Sequence, residues 1–387
     1  MKILSVVGAR PNFMKIAPFC RVISTYNQKM IQGQVEHLLV HTGQHYDIRM
    51  SEAFFRDLDI PDPDMNLEIG SGSHAEQVGN TMIAFEKLLI ERQPDWVVVV
   101  GDVNATLACS VTAKKLNIKV CHLEAGLRSG DMTMPEEINR LVTDRLSDLL
   151  LTPDLLSSKN LLLEGVPQEK VRFVGNIMID TLESNRHKAE LITLEEIISR
   201  NMATDSHFNG SFPSDDRYAV LTLHRPANVD SREVFEPLIR FLLDEGTNDN
   251  TLIWPIHPRA LKQLEIIGLL EEVKENKNII LLEPVGYHDM LRLNMGARIM
   301  LTDSGGLQEE CCVLGTPCLT LRWNTERFVT LRENGGASVL VGNNINRIRN
   351  EFYNTLSFPR NPMRPELWDG KTAERCLDAI LNFGIEL

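Results

Sequence analysis

Three acidic residues of this sequence stand where predicted strands end or a predicted helix begins. Asp102 follows the apolar run 96–100, Glu124 ends a second apolar run, and Glu136 follows Pro135. Taken singly, each has an ordinary structural explanation, as a helix cap or as an acid in the first turn of a helix. Carboxylates on successive loops of one site can instead supply an acid and a base at opposite faces of a substrate. Their combination therefore predicts catalytic roles for all three.

Two cations accompany them in the loop Gly-Ala-Arg-Pro-Asn-Phe-Met-Lys at residues 8–15. The loop follows a predicted strand and opens a predicted helix, so Arg10, Lys15 and free backbone N–H groups would suit a diphosphate. The competing explanation is a capped helix beside two solvated cations. The loop lacks the Gly-x-Gly-x-x-Gly pattern, which disfavours NAD as a cofactor.

The strongest nucleotide-binding pattern is Asp-Ser-Gly-Gly-Leu-Gln-Glu-Glu at residues 303–310. Ser304, Gly305 and Gly306 open a predicted helix whose first N–H groups can meet a phosphate. Glu310 lies about one turn farther along, where its carboxylate can accept hydrogen bonds from two ribose hydroxyls. Other polar side chains follow strands in the same half, and they include His224, His257 and Arg327.

Short apolar runs alternate with amphipathic stretches, which predicts βα units and doubly wound parallel sheets. The run 96–100 is apolar throughout, as expected for a central strand covered on both faces. The predicted strands are 3–7, 37–41, 96–100, 119–123, 171–174, 218–223, 252–256, 279–282, 298–302 and 317–321. The predicted helices are 13–26, 74–91, 107–116, 136–149, 193–199, 232–244, 261–273, 288–295, 306–314 and 373–383.

A polar stretch at 200–216 interrupts this alternation and indicates a domain boundary. We predict an α/β protein with two Rossmann-like domains, residues 1–185 with the carboxylates and residues 217–365 with the nucleotide loop. Residues 186–216 connect them, and 366–387 form a C-terminal helix that packs back on the first domain. Ligands of open α/β sheets bind beyond the carboxyl ends of the strands, so we expect a site in a central cleft.

The composition argues against several classes of function. The chain has 387 residues, a net charge of −13 and no Lys/Arg-rich run, so nucleic acid is not expected as a partner. Apolar stretches do not exceed strand length, and no membrane span is expected. Seven cysteines without a Cys-x-x-Cys pair predict reduced thiols and a cytoplasmic protein. His41 and His45 fall outside any predicted helix, and no metal site is expected.

Nine blocks, in order, resemble the non-hydrolysing UDP-N-acetylglucosamine 2-epimerases, a family with the GT-B glycosyltransferase fold. They are GARPNFMK at 8–15, TGQHYD at 42–47, GDVNATLA at 101–108, HLEAGLRSGD at 122–131, PEEINR at 135–140, GNIMIDTL at 175–182, HRPAN at 224–228, DSGGLQEE at 303–310 and TER at 325–327. The resemblance implies elimination of UDP to 2-acetamidoglucal and its re-addition with C2 inverted. It implies no metal or nicotinamide, and it suggests a homodimer that serves polysaccharide synthesis.

The resemblance also assigns roles to individual residues. The acidic catalytic residues of the family correspond to Asp102, Glu124 and Glu136. The phosphate-side residues correspond to Arg10, Lys15 and His224, of which we assign His224 to catalysis. The UDP-binding residues correspond to Ser304, Gly305, Gly306, Glu310 and Arg327. Some members bind a second UDP-sugar as activator, a site matched by Gln44, Arg225 and His257 but not by Asp47.

Several alternatives stay open at this point. The segment between Gly130 and Pro135 is shorter than in the best-known bacterial members. In this it resembles a subgroup that includes archaeal members and epimerases of UDP-2,3-diacetamido-glucuronate. A GT-B glycosyltransferase would share the fold, but it would need an acceptor site and only one catalytic base. A hydrolysing epimerase would release free N-acetylmannosamine, and a UDP-sugar-binding regulator would bind without turnover. Three clustered carboxylates and the full set of motifs favour the non-hydrolysing epimerase.

Overall fold

Each half of the chain folds around its own parallel sheet, as the alternating apolar runs predict. The structure is a computed structural model, and it describes residues 1–29, 33–43, 58, 60–203, 212–248 and 250–384. Residue contacts divide it into two units, one formed by Met1–Ser184 with Pro365–Leu387 and one by Asn185–Arg364. The predicted α/β class with two parallel-sheet domains is confirmed.

The strands of the first unit are β1 Lys2–Val7, β2 Glu36–His41, β3 Met65–Asn66, β4 Trp96–Val100, β5 Lys119–Leu123, β6 Leu149–Thr152 and β7 Val171–Phe173. They lie in the order β3-β2-β1-β4-β5-β6-β7, and every neighbouring pair is parallel. The order reverses between β1 and β4, and open α/β sheets bind ligands at such a switch point. All five residues of β4 are buried, in agreement with the uninterrupted apolar run.

The helices of the first unit alternate with these strands. They are α1 Arg10–Lys29, α2 His74–Arg92, α3 Asn104–Lys115, α4 Pro135–Leu146, α5 Leu155–Leu163 and α6 Ile177–Glu190. α2 begins with a capping box, in which the Ser73 hydroxyl and the Glu76 carboxylate accept each other's backbone N–H groups. Pro135 opens α4, where the missing N–H of proline costs nothing.

The second unit repeats the same design. Its strands are β8 Tyr218–Thr222, β9 Thr251–Pro255, β10 Ile279–Leu282, β11 Ile299–Thr302, β12 Cys318–Thr320 and β13 Ser338–Leu340, in the parallel order β10-β9-β8-β11-β12-β13. Its helices are α7 Leu194–Asn201, α8 Pro226–Val229, α9 Arg232–Phe241, α10 Pro258–Ile267, α11 Leu270–Glu275, α12 Tyr287–Gly296, α13 Gly305–Leu314 and α14 Ile345–Leu356. Here the strand order reverses between β8 and β11.

Two predicted helices differ from the structure. The helix predicted at 136–149 ends at Leu146, because Leu149–Thr152 pairs as β6 between β5 and β7 and is buried at all four residues. A short apolar run fits a buried strand or a helix equally well, so the pattern could not separate them. The helix predicted at 261–273 is two helices, because Gly268 ends α10 in the left-handed conformation with a φ of 75°.

The C-terminal segment belongs to the first unit. It ends in α15 Thr372–Leu381, whose first N–H groups are capped by Asp180. The Asp180 carboxylate accepts hydrogen bonds from the N–H groups of Thr372 at 3.0 Å and of Ala373 at 2.7 Å. Trp368 is 2% exposed, and its Nε1–H donates to the Pro153 carbonyl at 2.9 Å.

The stretch that precedes β8 belongs to the second unit. Leu194, Ile197 and Ile198 of α7 are buried in a core cluster with residues of β8 and β10. Residues 204–211, in the expected boundary loop, lie outside the described residues.

Two features are absent from the described residues, a membrane-spanning helix and a metal-binding cluster. None of the helices there is both long enough and apolar enough to cross a membrane. No group of three or more His, Cys, Asp and Glu side chains in that part of the chain is arranged to hold a metal ion.

Candidate active site

Asn12 joins the loops that follow β1 and β4. Its Oδ1 accepts hydrogen bonds from the N–H groups of Gly8 and Ala9, both at 3.1 Å, and its Nδ2 donates to the Val100 carbonyl at 2.9 Å. The N–H groups of Gly8 and Ala9, which the sequence suggested as diphosphate donors, therefore already donate to Asn12. The side chain of Arg10 lies outside the described residues, so its contact with phosphate stays a prediction.

Lys15 and Glu124 form a buried ion pair beside this junction. The ammonium of Lys15 contacts the carboxylate of Glu124, and the two side chains are 7% and 4% exposed. A Cβ atom on Gly101 would lie 3.2 Å from Nζ of Lys15 and 3.6 Å from Oε2 of Glu124. Glycine suits position 101 because φ is 67° there and because a larger residue would crowd the ion pair. The structure pairs the charge of Lys15 with Glu124, and its predicted contact with phosphate stays a prediction.

Glu124 has a backbone conformation that residues with side chains rarely adopt. Its φ is 71°, and its N–H and that of Ala125 both donate to the Leu151 carbonyl at 3.0 Å. Such a conformation costs about 1–3 kcal/mol and is found mainly where function requires it. The strain therefore supports a functional role for this carboxylate.

Asp102 is paired with Arg140 of α4. Its Oδ2 accepts hydrogen bonds from Nε and Nη2 of Arg140, at 3.0 and 2.6 Å, while its side chain stays 26% exposed. Arg140 also donates to the buried Glu137 at 2.5 Å. Burial raises the pKa of Glu137, but hydrogen bonds from Ser129 and Gly130 and the charge of Arg140 outweigh it, so the pKa is lowered. Arg140 thus bridges a partly exposed carboxylate and a structural one.

Glu136 stands in the first turn of α4, immediately before Glu137, and is half-buried. Within the described residues, its carboxylate has no hydrogen-bond or ion-pair partner. The N-terminus of a helix stabilises negative charge, which suits a carboxylate at this position. Among the three predicted catalytic carboxylates, Glu136 therefore differs from Asp102 and Glu124 in lacking a cationic partner there.

A fully buried histidine connects the segments that carry these carboxylates. Nδ1 of His122, on β5, lies 2.6 Å from Oδ1 of Asp144 on α4, and Nε2 lies 2.8 Å from the Gly101 carbonyl oxygen. Asp144 also accepts hydrogen bonds from the N–H of Gly126 at 3.0 Å and from Nη1 of Arg128 at 2.7 Å. Burial raises the pKa of Asp144, but His122 and Arg128 outweigh it and lower the pKa.

In the second unit, Asp303 joins the loops that follow β8 and β11. This buried carboxylate accepts hydrogen bonds from the N–H groups of His224 at 3.1 Å and Arg225 at 2.9 Å, and it lies 2.6 Å from Nδ1 of His224. Burial raises the pKa of Asp303, but the hydrogen bond and charge of His224 outweigh it and lower the pKa. His224 is thereby fixed at the switch point of the second sheet, with its ring 45% exposed.

His257 lies close to His224. The centroids of the two rings are 6.2 Å apart. Nδ1 of His257 accepts a hydrogen bond from the N–H of Arg259 at 3.1 Å, so this histidine caps the N-terminus of α10. The structure therefore brings the two predicted histidines together and also gives His257 a structural role.

The predicted phosphate loop opens α13, and Arg327 packs against it. Ser304, at the N-cap position, uses no side-chain hydrogen bond to cap the helix. A Cβ on Gly305 would lie 2.7 Å from Nη1 of Arg327. Arg327 is 7% exposed, donates to Glu309 at 2.8 Å and pairs with Glu326. Arg327 thus lies beside the loop with two carboxylates balancing its charge, and its contact with UDP stays a prediction.

Glu310 lies inside the second unit, against α12. Its side chain is 3% exposed, and Oε2 makes no hydrogen bond with any described residue. Burial raises the pKa of Glu310 to about 7, an effect that the neighbouring Tyr287 and Asn294 side chains oppose. An incompletely satisfied carboxyl is costly, and hydroxyl donors from a ligand would relieve that cost.

Four residues that position the predicted ones have no role predicted from the sequence. They are His122, Asp144, Arg140 and Asp303. Two of them carried a readable signal, because His122 lies inside an apolar strand and Asp303 directly ends one. Arg140 and Asp144 carried none, since polar residues along a helix are ordinary.

Comparison with known proteins identifies the family. A family model described as UDP-N-acetylglucosamine 2-epimerase matches residues 29–381 of this chain. The chain belongs to the UDP-N-acetylglucosamine 2-epimerase family. A member of this epimerase family from Methanocaldococcus jannaschii, named UDP-N-acetylglucosamine 2-epimerase, is 41% identical over 385 residues, which cover 99% of this chain and all of that protein.

Two further comparisons bear on the epimerase fold and on its substrates. The crystal structure of the Methanocaldococcus jannaschii UDP-GlcNAc 2-epimerase in complex with UDP-GlcNAc and UDP gives a TM-score of 0.85 at 39% identity, and the match covers 99% of this chain and 100% of that one. The UDP-2,3-diacetamido-2,3-dideoxy-D-glucuronate 2-epimerase of Pseudomonas aeruginosa is 37% identical over 346 residues, 88% of each chain. The predicted GT-B fold class is confirmed by the first of these matches.

Proposed function

We propose that this protein is a non-hydrolysing epimerase that interconverts UDP-N-acetylglucosamine and UDP-N-acetylmannosamine. Membership of the epimerase family and the similarity to the Methanocaldococcus jannaschii enzyme support this activity. The observation that carries it is the set Asp102, Glu124 and Glu136, which stand on neighbouring elements of one unit and are tied together through Arg140 and His122.

The reaction needs proton transfer at C2 and stabilisation of a leaving diphosphate. A base removes the C2 proton while the C1–O bond breaks, UDP departs with the electron pair of that bond, and 2-acetamidoglucal remains. Return of UDP to C1, with a proton delivered to the other face of C2, gives the epimer. Two positioned acid–base groups and donors for the departing charge satisfy these demands.

We assign these tasks to the two units as follows. In the first unit, Asp102, Glu124 and Glu136 exchange the C2 proton, with Lys15 and Arg140 balancing their charge. In the second unit, His224 and the N–H groups of the loop that opens α13 hold the diphosphate, and Glu310 accepts the ribose hydroxyls. The other residues assigned to substrate binding are Arg10, Lys15, His257 and Arg327.

The decisive experiment is incubation with UDP-N-acetylglucosamine in deuterated water, followed by proton NMR. We expect UDP-N-acetylmannosamine with deuterium at C2, because the C2 proton is lost to solvent-exchanging carboxylates. Accumulation of free UDP and free sugar alone would support a hydrolysing enzyme. Tight binding without exchange or epimerisation would contradict enzyme function.

A second substrate deserves the same assay. The similarity to the Pseudomonas aeruginosa protein makes UDP-2,3-diacetamido-glucuronate the leading alternative. Turnover of that sugar without turnover of UDP-N-acetylglucosamine would change the substrate and leave the reaction class intact.

The cellular setting is also a proposal. All seven cysteines are free and buried, which suits a reducing cytoplasm. We propose a homodimer, because α2 and α4 expose apolar side chains, namely Ile83, Ile90, Ile138 and Val142. The product would serve as a precursor of cell-surface polysaccharide. Sedimentation equilibrium tests the dimer, and a purely monomeric enzyme would contradict it.

A further inference from the structure

The ring of His122 bonds to two different elements of the first unit. Nε2 faces the Gly101 carbonyl oxygen at 2.8 Å, and a carbonyl oxygen can only accept, so Nε2 donates. Nδ1 lies 2.6 Å from Oδ1 of the buried Asp144. The ring of His122 is therefore held at both of its nitrogens.

The two partners of His122 control different catalytic segments. Gly101 immediately precedes Asp102, and its bare Cα lies beside the Lys15–Glu124 ion pair. Asp144 lies on α4, the helix whose first turn carries Glu136, and it also fixes the N–H of Gly126 in the turn that follows Glu124. His122 is thus the point at which β4, β5 and α4 are joined behind the predicted carboxylates.

We propose that His122 is a positioning residue for the C2 proton transfers, acting through the Gly101 carbonyl. Resting on the proposed epimerase function, the inference assigns His122 no contact with substrate. By holding the Gly101 peptide, it fixes the direction in which Asp102 leaves β4. It also fixes the position of the Gly101 backbone that packs against the Lys15–Glu124 pair. A displacement of about 1 Å in a catalytic group can cost roughly a hundredfold in rate.

Two substitutions separate the two hydrogen bonds of the ring. The amide nitrogen of His122→Gln is the same number of bonds from Cβ as Nε2, so it can still donate to Gly101. The amide nitrogen of His122→Asn corresponds in the same way to Nδ1, so it can donate to Asp144 but not to Gly101. Asp144 keeps Arg128 and the Gly126 N–H in both variants.

We expect His122→Asn to lower kcat about a hundredfold and His122→Gln to lower it less than about tenfold, with KM close to wild type in both. KM should stay close to wild type because neither variant changes a residue assigned to UDP binding. The measurements are epimerisation kinetics and UDP calorimetry, with melting temperatures to confirm that each variant is folded. A purely structural role predicts lowered melting temperatures and equal kcat values in the two folded variants, and that result would overturn the proposal.

A measurement on the unmodified protein keeps the proposal testable if both variants fail to fold. In protein labelled with ¹⁵N and ¹³C, the Nε2–H of His122 should give an NMR signal with a through-hydrogen-bond coupling to a backbone carbonyl. A His122 ring whose Nε2 carries no hydrogen contradicts the proposal. Absence of epimerase activity in the wild type would instead refute the proposed function.

Discussion

At the scale of single residues, the site is governed by which charges have partners. Lys15 balances Glu124 inside the first unit, and Arg140 balances Asp102 at its edge. Removing one partner of a buried ion pair leaves an uncompensated charge, which typically costs about 3–5 kcal/mol, whereas exposed pairs contribute little. Catalysis and stability should therefore respond differently at the three carboxylates.

We expect Asp102→Asn, Glu124→Gln and Glu136→Gln to reduce epimerase turnover by about 10²–10⁴-fold, because each removes a group that can exchange a proton. Their affinity for UDP should stay near wild type. Glu86→Gln, an exposed position on α2, is the matched control and should leave turnover unchanged.

Unfolding by urea tests the same variants for a structural role. Glu124→Gln should lose the larger stability because Lys15 stays buried without its partner. Glu136→Gln should lose at most about 0.3–1 kcal/mol, the usual value of a negative charge in the first turn of a helix, since Glu136 has no ion-pair partner among the described residues. Normal turnover in all three variants, with stability losses alone, would show that these acids are helix caps and structural partners.

Glu310 should make both the stability of the protein and its binding of ribose depend on pH. Its pKa is raised from 4.5 to about 7 by burial, so in the folded protein it holds a proton that the unfolded chain has released. Its contribution to the free energy of unfolding therefore falls as pH rises from 4.5 to about 7 and is constant above that pH. Accepting two ribose hydroxyls requires the ionised form, so ribose binding should favour pH above 7.

We predict that uridine, which has no phosphate to titrate, binds about tenfold more weakly at pH 6 than at pH 8. Calorimetry at several pH values measures this, and Glu310→Gln serves as the control that should remove the dependence. The substitution should also weaken binding by about 1.5–3 kcal/mol at pH 8, since it replaces a charged acceptor. Uridine affinity that is the same at both pH values would argue against Glu310 as the ribose ligand.

At the scale of elements, the two sheets fix the segments at their switch points by the same kind of contact. In each sheet, one polar side chain connects the two segments that follow the strands at the switch point. This side chain is Asn12 in the first unit and Asp303 in the second. The loops are thereby fixed relative to the strands that carry them. The N-terminus of α13 is fixed in addition by Arg327, whose guanidinium packs on Gly305.

Gly305→Ala tests the packing at the N-terminus of α13. Alanine favours a helix over glycine by about 0.5–1 kcal/mol, but here its Cβ would lie 2.7 Å from Nη1 of Arg327. We expect Arg327 to be displaced and UDP affinity to fall about tenfold, as measured by calorimetry.

Gly79→Ala is the matched control, because Gly79 lies within α2 and a Cβ there meets no atom within 4 Å. This variant should gain the helix propensity, about 0.5–1 kcal/mol, with UDP affinity unchanged. Equal UDP affinity in both variants would show that the contact of Gly305 with Arg327 does not serve the phosphate loop.

At the scale of the whole molecule, the first unit is completed by residues from the end of the chain. Trp368 is buried, and α15 is capped by Asp180. The first unit therefore cannot form its full core until the second has been synthesised.

Trp368→Ala should destabilise the protein by about 3–5 kcal/mol, the usual cost of deleting a large buried aromatic ring. Urea unfolding followed by far-ultraviolet circular dichroism measures the loss. Trp323→Ala is the control, since Trp323 is 62% exposed, and it should cost at most about 1 kcal/mol. Similar losses for the two variants would contradict a structural role of the C-terminal segment in the core.

The sequence by itself determined the fold class, the parallel sheets and the loops that carry the candidate residues. Apolar periodicity is local, so strands such as β4 and β5 could be read directly, and the motif blocks fixed where Asp102, Glu124 and the loop at 303–310 lie along the chain. It could not separate α4 from β6, because a run of leucines suits both.

Only the tertiary structure decided which charges meet. Lys15 and Glu124 are 109 residues apart, and Asp102 and Arg140 are 38 apart, so no local pattern records that they pair. The same holds for His122, whose partners come from the turn that follows β4 and from the helix α4. Periodicity reports which face of an element is buried, whereas partners across a sheet are set by packing between elements, and that packing exists only in the folded chain.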